Sequence, residues 1–282
     1  MPNLTADLAY WIQERYNIKQ RRESGLARPW SPDPIFQAVR FCNVHREDDA
    51  VTKWIREYWN RWDDAAWRFV LARMVNLPES LAEISGAWVG SGGARIPLEL
   101  ELGAAKSCLK YRRDRGTKVF TSAYTVSTCG KAMDKLDYVF DYIVQAVAEA
   151  GEPRFDTCQQ ALEDLTCIDG LGTFFGGQVI ADMKNTVGHP LAKSPDFWTF
   201  STPGPGSLRG LSWYFYGEPR GITAGMYYRA METCRREVDP LVPSYIPRIS
   251  DQDFQNCLCE FSKYMKVKSN PKAHVRNKFQ GV

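Results

Sequence analysis

The fold is decided by the stretch Ile168-Asp169-Gly170-Leu171-Gly172, which separates two segments of helical character. In the segment before it, apolar residues recur at the spacing of one helix face, and Asp156 and Gln159 have the spacing of a capping box. Thr173 opens the segment after it, which is also rich in apolar residues. We therefore predict two helices joined by a hairpin whose glycines allow backbone conformations and close approaches that a Cβ would obstruct.

A glycine hairpin of this kind has a chemical use. Its N–H groups, together with the positive end of the following helix, hold a DNA phosphate without reading the base. On this ground we assign DNA binding to Gly170, Gly172 and Thr173. The alternative is an ordinary pair of helices with glycines between them for reasons of packing alone.

The rest of the chain indicates a mostly α protein. Apolar residues at helical spacing recur along it, as in the stretch from Val51 to Trp59. The exception is the segment from Lys118 to Val126, whose β-branched and aromatic residues allow a short strand pair. Glycine and proline break the pattern at residues 90–93 and 201–206. We predict one helical catalytic domain over residues 1–282, or two helical lobes of about 1–115 and 116–265, with a basic tail at 263–282.

Composition excludes several classes of protein. Eight cysteines without a Cys-x-x-Cys pair, and only three histidines, argue against a disulfide scaffold, a zinc site and an iron–sulfur cluster. We see no secretory signal, and no apolar run approaches the roughly 20 residues of a membrane span. We therefore predict a cytoplasmic location, in the host cytoplasm if the protein is viral, and no membrane partner.

Charge is informative only locally. The net charge of +3 is too small to indicate nucleic-acid binding by itself. After Glu260, however, no acidic residue follows, and the basic residues are Lys263, Lys266, Lys268, Lys272, Arg276 and Lys278. This basic tail either contacts phosphates or is a solvated terminus.

Four separated segments carry a family resemblance. They are residues 29–52, with Pro29-Trp30-Ser31-Pro32-Asp33-Pro34 and Arg40-Phe41-Cys42-Asn43-Val44-His45-Arg46-Glu47-Asp48-Asp49; residues 119–124; the hairpin through Asp182, His189 and Asp196 to Gly210; and Cys257-Leu258-Cys259-Glu260-Phe261-Ser262-Lys263-Tyr264. Together they resemble the α-glutamyl/putrescinyl thymine pyrophosphorylase family, the amino-acid:DNA transferases of phage thymine hypermodification. Residues 40–52 are the most specific part of the resemblance.

The resemblance implies both a fold and a reaction. The family looks related to helix-hairpin-helix DNA glycosylases, which implies a glycosylase-like helical fold and a target base flipped from the duplex. The implied partners are double-stranded DNA containing 5-hydroxymethyluracil activated as a pyrophosphate ester, and a small amine or amino-acid cosubstrate that displaces pyrophosphate. No organic cofactor is predicted. Mg²⁺ is compatible with pyrophosphate, but the sequence assigns it no ligands. The transferred amine and the oligomeric state are left open.

Such a transferase needs a deprotonated amine, a cationic grip on the leaving group and exclusion of water. Asp196 follows the hairpin where glycosylases carry their essential Asp, so we predict that it deprotonates the amine or stabilises positive character at the reacting carbon; helix capping is the alternative. Helical spacing places Asn43, Arg46 and Asp49 on one polar face. Arg46 suits phosphate, Asn43 a base edge, and Asp49 either Arg46 or the amine. A solvated face of ion pairs is the alternative.

Two further groups are candidates for substrate binding. Gly204, Gly206 and Ser207, with Arg209, present N–H groups, a hydroxyl and a guanidinium to pyrophosphate; a simple turn is the alternative. Glu260 and Lys263 lie one helical step apart and form either a charged pocket wall or a surface ion pair. Two other functions stay open from sequence, a helix-hairpin-helix glycosylase acting on a modified base and a noncatalytic DNA-binding module. No cysteine is singled out for covalent attack on the base.

Overall fold

The computed structural model describes residues 4–59, 65–89, 97–121 and 126–275, and the secondary structure elements in these ranges are helices. The α-helices in chain order are α1 (Leu4–Glu23), α2 (Pro34–Ala38), α3 (Ala50–Trp54), α4 (Ala66–Val75), α5 (Pro78–Val89), α6 (Leu98–Asp114), α7 (Lys135–Asp137), α8 (Gln145–Ala150), α9 (Cys158–Thr166), α10 (Thr173–Lys184), α11 (Pro205–Tyr216), α12 (Tyr227–Val238) and α13 (Asp251–Ser269). Two π-helical segments, Ile55–Trp59 and Tyr138–Val144, continue α3 and join α7 to α8. The mostly α class is confirmed.

The short strand pair does not form in the part of the chain that the structure describes. Residues 118–121 and 126 are irregular, and the rest of that segment, residues 122–125, lies outside the described residues. The glycine break at 90–93 also lies outside them.

Side-chain caps set the starts of several helices. Asp33 Oδ1 accepts from the N–H of Ile35 at 2.8 Å and begins α2, and Ser250 Oγ accepts from the N–H of Asp253 at 3.2 Å in the capping box of α13. The capping box predicted at Asp156 is wrong by one residue. Thr157 is the N-cap of α9 and accepts from the N–H of Gln160 at 3.0 Å. The two preceding N–H groups of that helix donate to the Asp196 carboxylate.

The chain divides into two compact units, residues 1–49 with 201–282 (unit 1) and residues 50–200 (unit 2). The sequence-based boundary near residue 115 falls inside unit 2. The reason is that α1 packs against α11 and α12, so the two ends of the chain share one core. Long-range packing of this kind leaves no mark on local periodicity. In unit 1 the tightest pair is α11 and α13.

A buried polar network ties the helices of unit 2. Arg73 on α4 forms a bidentate ion pair with Asp182 on α10, and both side chains are at most 1 % exposed. The same guanidinium donates to Asn76 Oδ1 and Thr52 Oγ1, each at 3.0 Å, and Arg56 Nη1 lies 3.0 Å from Asp182 Oδ1. Because Arg73 pairs with Asp182 and also donates to Thr52, the network fixes how α3, α4 and α10 pack.

The basic segment after Glu260 is not a free tail over its first part. Lys263, Lys266 and Lys268 belong to α13, which extends to Ser269. Lys268 Nζ pairs with Asp7 Oδ2 at 2.8 Å. The prediction of a tail starting at 263 is therefore wrong, because the apolar face of this segment packs into the core of unit 1 as helix. Residues 276–282 lie outside the described residues. None of the helices in the described ranges is long and apolar enough to cross a membrane.

Candidate functional site

The hairpin has the geometry expected of two helices joined by glycine. Gly170 adopts φ +87°, and an added Cβ would overlap the Tyr138 hydroxyl and lie 2.8 Å from Ile143 Cδ1. The N–H of Leu171 closes the turn on Ile168 O at 3.0 Å. Gly172 caps α10 with an ordinary φ of −75° and faces open space. Of the two hairpin glycines, only Gly170 therefore needs to be glycine for the fold, because a Cβ on Gly172 would meet no atom within 4 Å.

The surface around the hairpin carries charges of both signs. Gly172 and Thr173 are exposed at the N-terminus of α10. The Asp169 carboxylate accepts from the Tyr142 hydroxyl and lies 3.4 Å from Lys131 Nζ. These two partners, Tyr142 first, hold the pKa of Asp169 below its ordinary value. Lys131 thus offsets the one acid in the hairpin, and the helix N-terminus keeps its positive potential toward a phosphate.

Two alanine substitutions separate folding from DNA binding at the hairpin. We expect Gly170→Ala to lower the free energy of unfolding by about 2–4 kcal/mol, because it combines a positive φ with overpacking. We expect Gly172→Ala to change it by less than about 0.5 kcal/mol. If a DNA phosphate approaches Gly172, the same substitution weakens binding of an unmodified duplex in a fluorescence-anisotropy titration. Wild-type affinity in a folded Gly172→Ala variant would contradict the phosphate assignment.

Asp196 lies in unit 2 and caps a helix there. Its carboxylate accepts from the N–H groups of Cys158 at 2.8 Å and Gln159 at 3.0 Å, and from the Ser194 hydroxyl. The two N–H groups belong to the first turn of α9, so Asp196 caps that helix and does not cap one starting at Phe197. Partial burial alone would raise the pKa of Asp196, but these hydrogen bonds hold it below its ordinary value. The arrangement explains Asp196 as a structural residue, and its catalytic role stays a prediction.

The Asp196 cap predicts a pH dependence of stability. A lowered folded-state pKa stabilises the fold above the unfolded pKa of about 3.9, and this contribution disappears as the pH falls through the folded value. We expect Asp196→Ala to cost about 1–2 kcal/mol at pH 7 and to flatten the loss of stability between about pH 5 and pH 2. Urea denaturation across that range measures both. Asp156→Ala is the control, since that exposed carboxylate is not the cap; an equal effect there would contradict this assignment.

Asn43, Arg46 and Asp49 do not form one helical face, so that prediction is wrong. Asn43 is in an irregular segment, Arg46 begins a 3₁₀ turn that ends at Asp48, and α3 starts at Ala50. The reason is local competition. The Asn43 side chain donates to Asp48 O at 2.8 Å, and the N–H of Arg46 donates to Asp253 Oδ1 at 2.8 Å, so side chains satisfy groups that a helix would otherwise pair.

Unit 1 links Asn43 to Glu260 and Lys263 through Arg15, which sequence reasoning missed, and the backbone of Cys42. Arg15 on α1 donates to Asn43 Oδ1, to Cys42 O at 2.8 Å and to Phe41 O at 3.1 Å. Glu260 is buried and accepts from the N–H of Cys42 at 3.2 Å and from Lys263. It is not an ordinary surface pair. Burial alone would lower the pKa of Lys263, but the Glu260 carboxylate raises it.

A cavity of about 610 Å³ adjoins Arg15 in unit 1. Its walls include Arg22, Arg28, Arg40 and Trp30, none of which the sequence analysis assigned. One feature of the sequence could have identified Arg15. Arg15 falls in the apolar stripe of Leu8, Trp11 and Ile12 on α1, and a charged residue at a core position is uncommon without a purpose.

The glycine-rich segment of unit 1 is the start of α11. Gly204 is its N-cap, and the Ser207 hydroxyl accepts from the N–H of Gly204 at 3.1 Å. A Cβ on Gly206 would overlap Cys259 Sγ, and one on Gly210 would overlap Leu258 O. These contacts explain Gly206 and Ser207 by capping and by close packing of α11 on α13. Arg209 is exposed on the same helix. Pyrophosphate binding by this segment stays a prediction.

Within the described ranges no group of three or more His, Cys, Asp or Glu side chains could hold a metal ion. Desolvation, and then the Glu260 carboxylate, raise the pKa of the Cys42 thiol to about 12, which disfavours the nucleophilic thiolate.

The fold and these groups define an all-helical protein of two units, one with an exposed glycine hairpin and one with an arginine-lined cavity. The chain belongs to the family described as "5-hmdU DNA kinase, helical domain", whose model matches residues 2–274. It is similar to a "5-hmdU DNA kinase" of Bacillus phage SP10, with 26% identity over 230 residues that cover 72% of this chain. The aligned region covers 35% of that relative. No solved structure matches. The finer assignments, to the thymine pyrophosphorylases and to a helix-hairpin-helix glycosylase relation, stay predictions.

Proposed function

We propose that this chain acts in phage DNA hypermodification, on DNA in which 5-hmdU has been activated as a pyrophosphate ester, and that it replaces pyrophosphate with an amine. The family match over residues 2–274 supports the 5-hmdU DNA part of the proposal, because the relative named above is a "5-hmdU DNA kinase". The displacement of pyrophosphate by an amine rests on the sequence resemblance to the thymine pyrophosphorylases. Phosphorylation itself is not assigned to this chain. The alignment spans about a third of the kinase, and the printed sequence holds no Gly-x₄-Gly-Lys-Ser/Thr loop.

The proposed reaction is a substitution at the methylene carbon on C5 of the uracil ring. The nitrogen lone pair of a neutral amine forms a C–N bond, and the C–O bond to pyrophosphate breaks. Its electron pair leaves on the pyrophosphate oxygen, and the new ammonium loses one proton to a base. Arg46, Arg209 and Lys263 are the cations that the sequence offers for the leaving group, and Asp49 is the carboxylate that binds the amine. The exposed hairpin of unit 2 holds the DNA backbone.

A second candidate is a noncatalytic DNA-binding module that presents the modified base to a kinase. The family description favours it, since the match is to the helical part of such an enzyme. The hairpin alone would suffice for this role. The two candidates differ in whether new covalent product forms on the DNA.

Nucleoside analysis separates the candidates. Duplex DNA containing the pyrophosphorylated base is incubated with the protein and a panel of amino acids and polyamines, then digested and analysed by mass spectrometry, while released pyrophosphate is measured. An amine adduct with an equal amount of pyrophosphate supports the transferase. A free base with an abasic site indicates a glycosylase, and retained DNA binding without either product indicates the module. Asp49→Asn is expected to lower turnover at least tenfold, on the order of one charge-assisted hydrogen bond, whereas the exposed Glu232→Gln is the matched control.

A further inference from the structure

The cavity of unit 1 is surrounded by positive charge. Arg15 and Arg22 reach it from α1, Arg28 from the segment that follows, and Arg40 from the segment after α2. Among the described residues that line it, none is acidic. Four guanidiniums beside one cavity give it a positive potential even though individual arginines have partners elsewhere, as Arg22 has in Glu23 at 4.0 Å. An anion with several charges is attracted to such a potential. The composition of the walls therefore indicates an anion.

Arg15 carries its positive charge in a buried position, where a charge without a counter-ion costs the most free energy. The residue is 6 % exposed, and its Nη1 has no hydrogen-bond acceptor among the described residues. Its other nitrogens donate to Asn43 and to backbone carbonyls, which carry no full charge. Burial, and then the nearby charge of Arg22, lower the pKa of Arg15 to about 10. The Glu260 carboxylate acts in the opposite direction, but the groups that accept hydrogen bonds from Arg15 are all neutral. An anion at the adjoining cavity would therefore stabilise this buried cation further.

The remaining walls are apolar and aromatic. Trp30, Phe36 and Phe41 line the cavity, and the Arg28 guanidinium lies 4.6 Å from the centroid of the Trp30 ring. The volume of about 610 Å³ exceeds what a pyrophosphate ion alone would fill and lies within the usual range of small-molecule sites. An aromatic wall offers stacking to a nucleobase whatever its edge pattern. A ligand with one flat apolar part and one strongly anionic part matches both kinds of wall.

We propose that this cavity binds a pyrimidine base carrying a pyrophosphate group, with Arg22, Arg28 and Arg40 gripping the phosphates and Arg15 supplying a fixed charge beside them. The identity of the base rests on the proposed function, whereas the anion site rests on the cavity alone. The side chains that bind the leaving group then lie in residues 15–41, and these arginines take the place of Arg46, Arg209 and Lys263, which the sequence offered for that role.

Calorimetric titration of the full chain with inorganic pyrophosphate tests the anion site without any turnover. We expect Arg22→Ala, Arg28→Ala and Arg40→Ala each to weaken binding by about tenfold, as loss of a charge-assisted hydrogen bond does. These three side chains are exposed, so the variants are expected to keep the wild-type melting temperature. Arg15→Lys keeps the charge but loses the planar fork that holds Cys42 and Asn43. Arg236→Ala removes an exposed arginine of the same unit away from the cavity, and should bind pyrophosphate like the wild type.

Three further titrants identify the source of the anion. A duplex with the pyrophosphorylated base should compete with inorganic pyrophosphate and lose affinity in the arginine variants. If glutamate binds and pyrophosphate does not, the cavity takes carboxylates and the proposal is overturned. If an unmodified duplex competes equally well, the ligand is a backbone phosphate and the base assignment is overturned. Pyrophosphate binding that is unchanged in all cavity variants also overturns it. A protein that binds pyrophosphate here but transfers no amine supports the site and refutes the proposed reaction.

Discussion

Replacing Asp182 with alanine is expected to lower the free energy of unfolding by about 3–5 kcal/mol, because it leaves a buried guanidinium without its carboxylate. Arg73 is 1 % exposed and cannot turn to solvent without opening the contact between α4 and α10. Arg56 loses the same partner. Urea denaturation followed by circular dichroism measures the loss. A cost under about 1 kcal/mol would contradict this expectation, because an effect of that size is typical of an ion pair exposed to solvent.

A matched surface pair provides the control for Asp182. Asp141 contacts Lys106 in the same unit, but its side chain is 56 % exposed. We expect Asp141→Ala to cost no more than about 1 kcal/mol. A double variant, Arg73→Met with Asp182→Leu, removes both charges and fills the space with apolar atoms. It should be more stable than the sum of the single variants implies, since the charges of Arg73 and Asp182 are removed together, although Arg56 still loses its carboxylate partner.

The helices were predictable from sequence because their signals are local. Apolar periodicity located the two helices around the hairpin, and Asp33 and Ser250 are of the residue types that favour the N-cap positions they occupy. The division into units was not predictable. It depends on α1 packing against helices close to the other end of the chain, and periodicity records which face of a helix is buried without recording its partner.

The candidate site was only partly predictable for the same reason. Asn43, Glu260 and Lys263 were identified individually, and the structure brings them together through Arg15, 28 residues before Asn43. Spacing alone suggested a helical face for Asn43 and Arg46, but hydrogen bonds from that segment to its own backbone and to Asp253 replaced the helix. A charged residue inside an apolar stripe was the more reliable signal, and it marks both Arg15 and Arg73.

Residues within the family resemblance fall into two kinds. Thr52 and Asp182 belong to the buried network around Arg73, so the structure explains them as determinants of packing in unit 2. Trp30 lies in the first segment of the resemblance, and Arg40 lies in its most specific part, residues 40–52. Both line the cavity of unit 1 and have access to a ligand. A shared sequence pattern therefore contains both residues that determine packing and residues that can bind a ligand. Burial with hydrogen-bonded partners identifies the first kind.

Gly210→Ala is expected to destabilise unit 1 by about 3 kcal/mol or more, because the new Cβ would overlap the carbonyl oxygen of Leu258 and lie 2.7 Å from its carbon. Backbone atoms cannot move aside as a side chain does, so α11 and α13 must separate. Gly225→Ala is the matched control. It lies in the same unit, has no atom within 4 Å of its added Cβ, and should change stability by less than about 1 kcal/mol. Thermal unfolding of both variants compares them.

Gly206 extends this experiment to the question of what binds pyrophosphate. Its added Cβ would meet Cys259 Sγ, the end of a side chain, with Cys259 Cβ next at 3.0 Å. Gly206→Ala should therefore be destabilising, and Cys259→Ala in the same chain should recover part of the loss, because the closest atom is gone. If the recovered double variant binds inorganic pyrophosphate as the wild type does, Gly206 serves packing and the arginine cavity holds the leaving group. If it folds but no longer binds pyrophosphate, the start of α11 is itself the phosphate site, as the sequence first suggested.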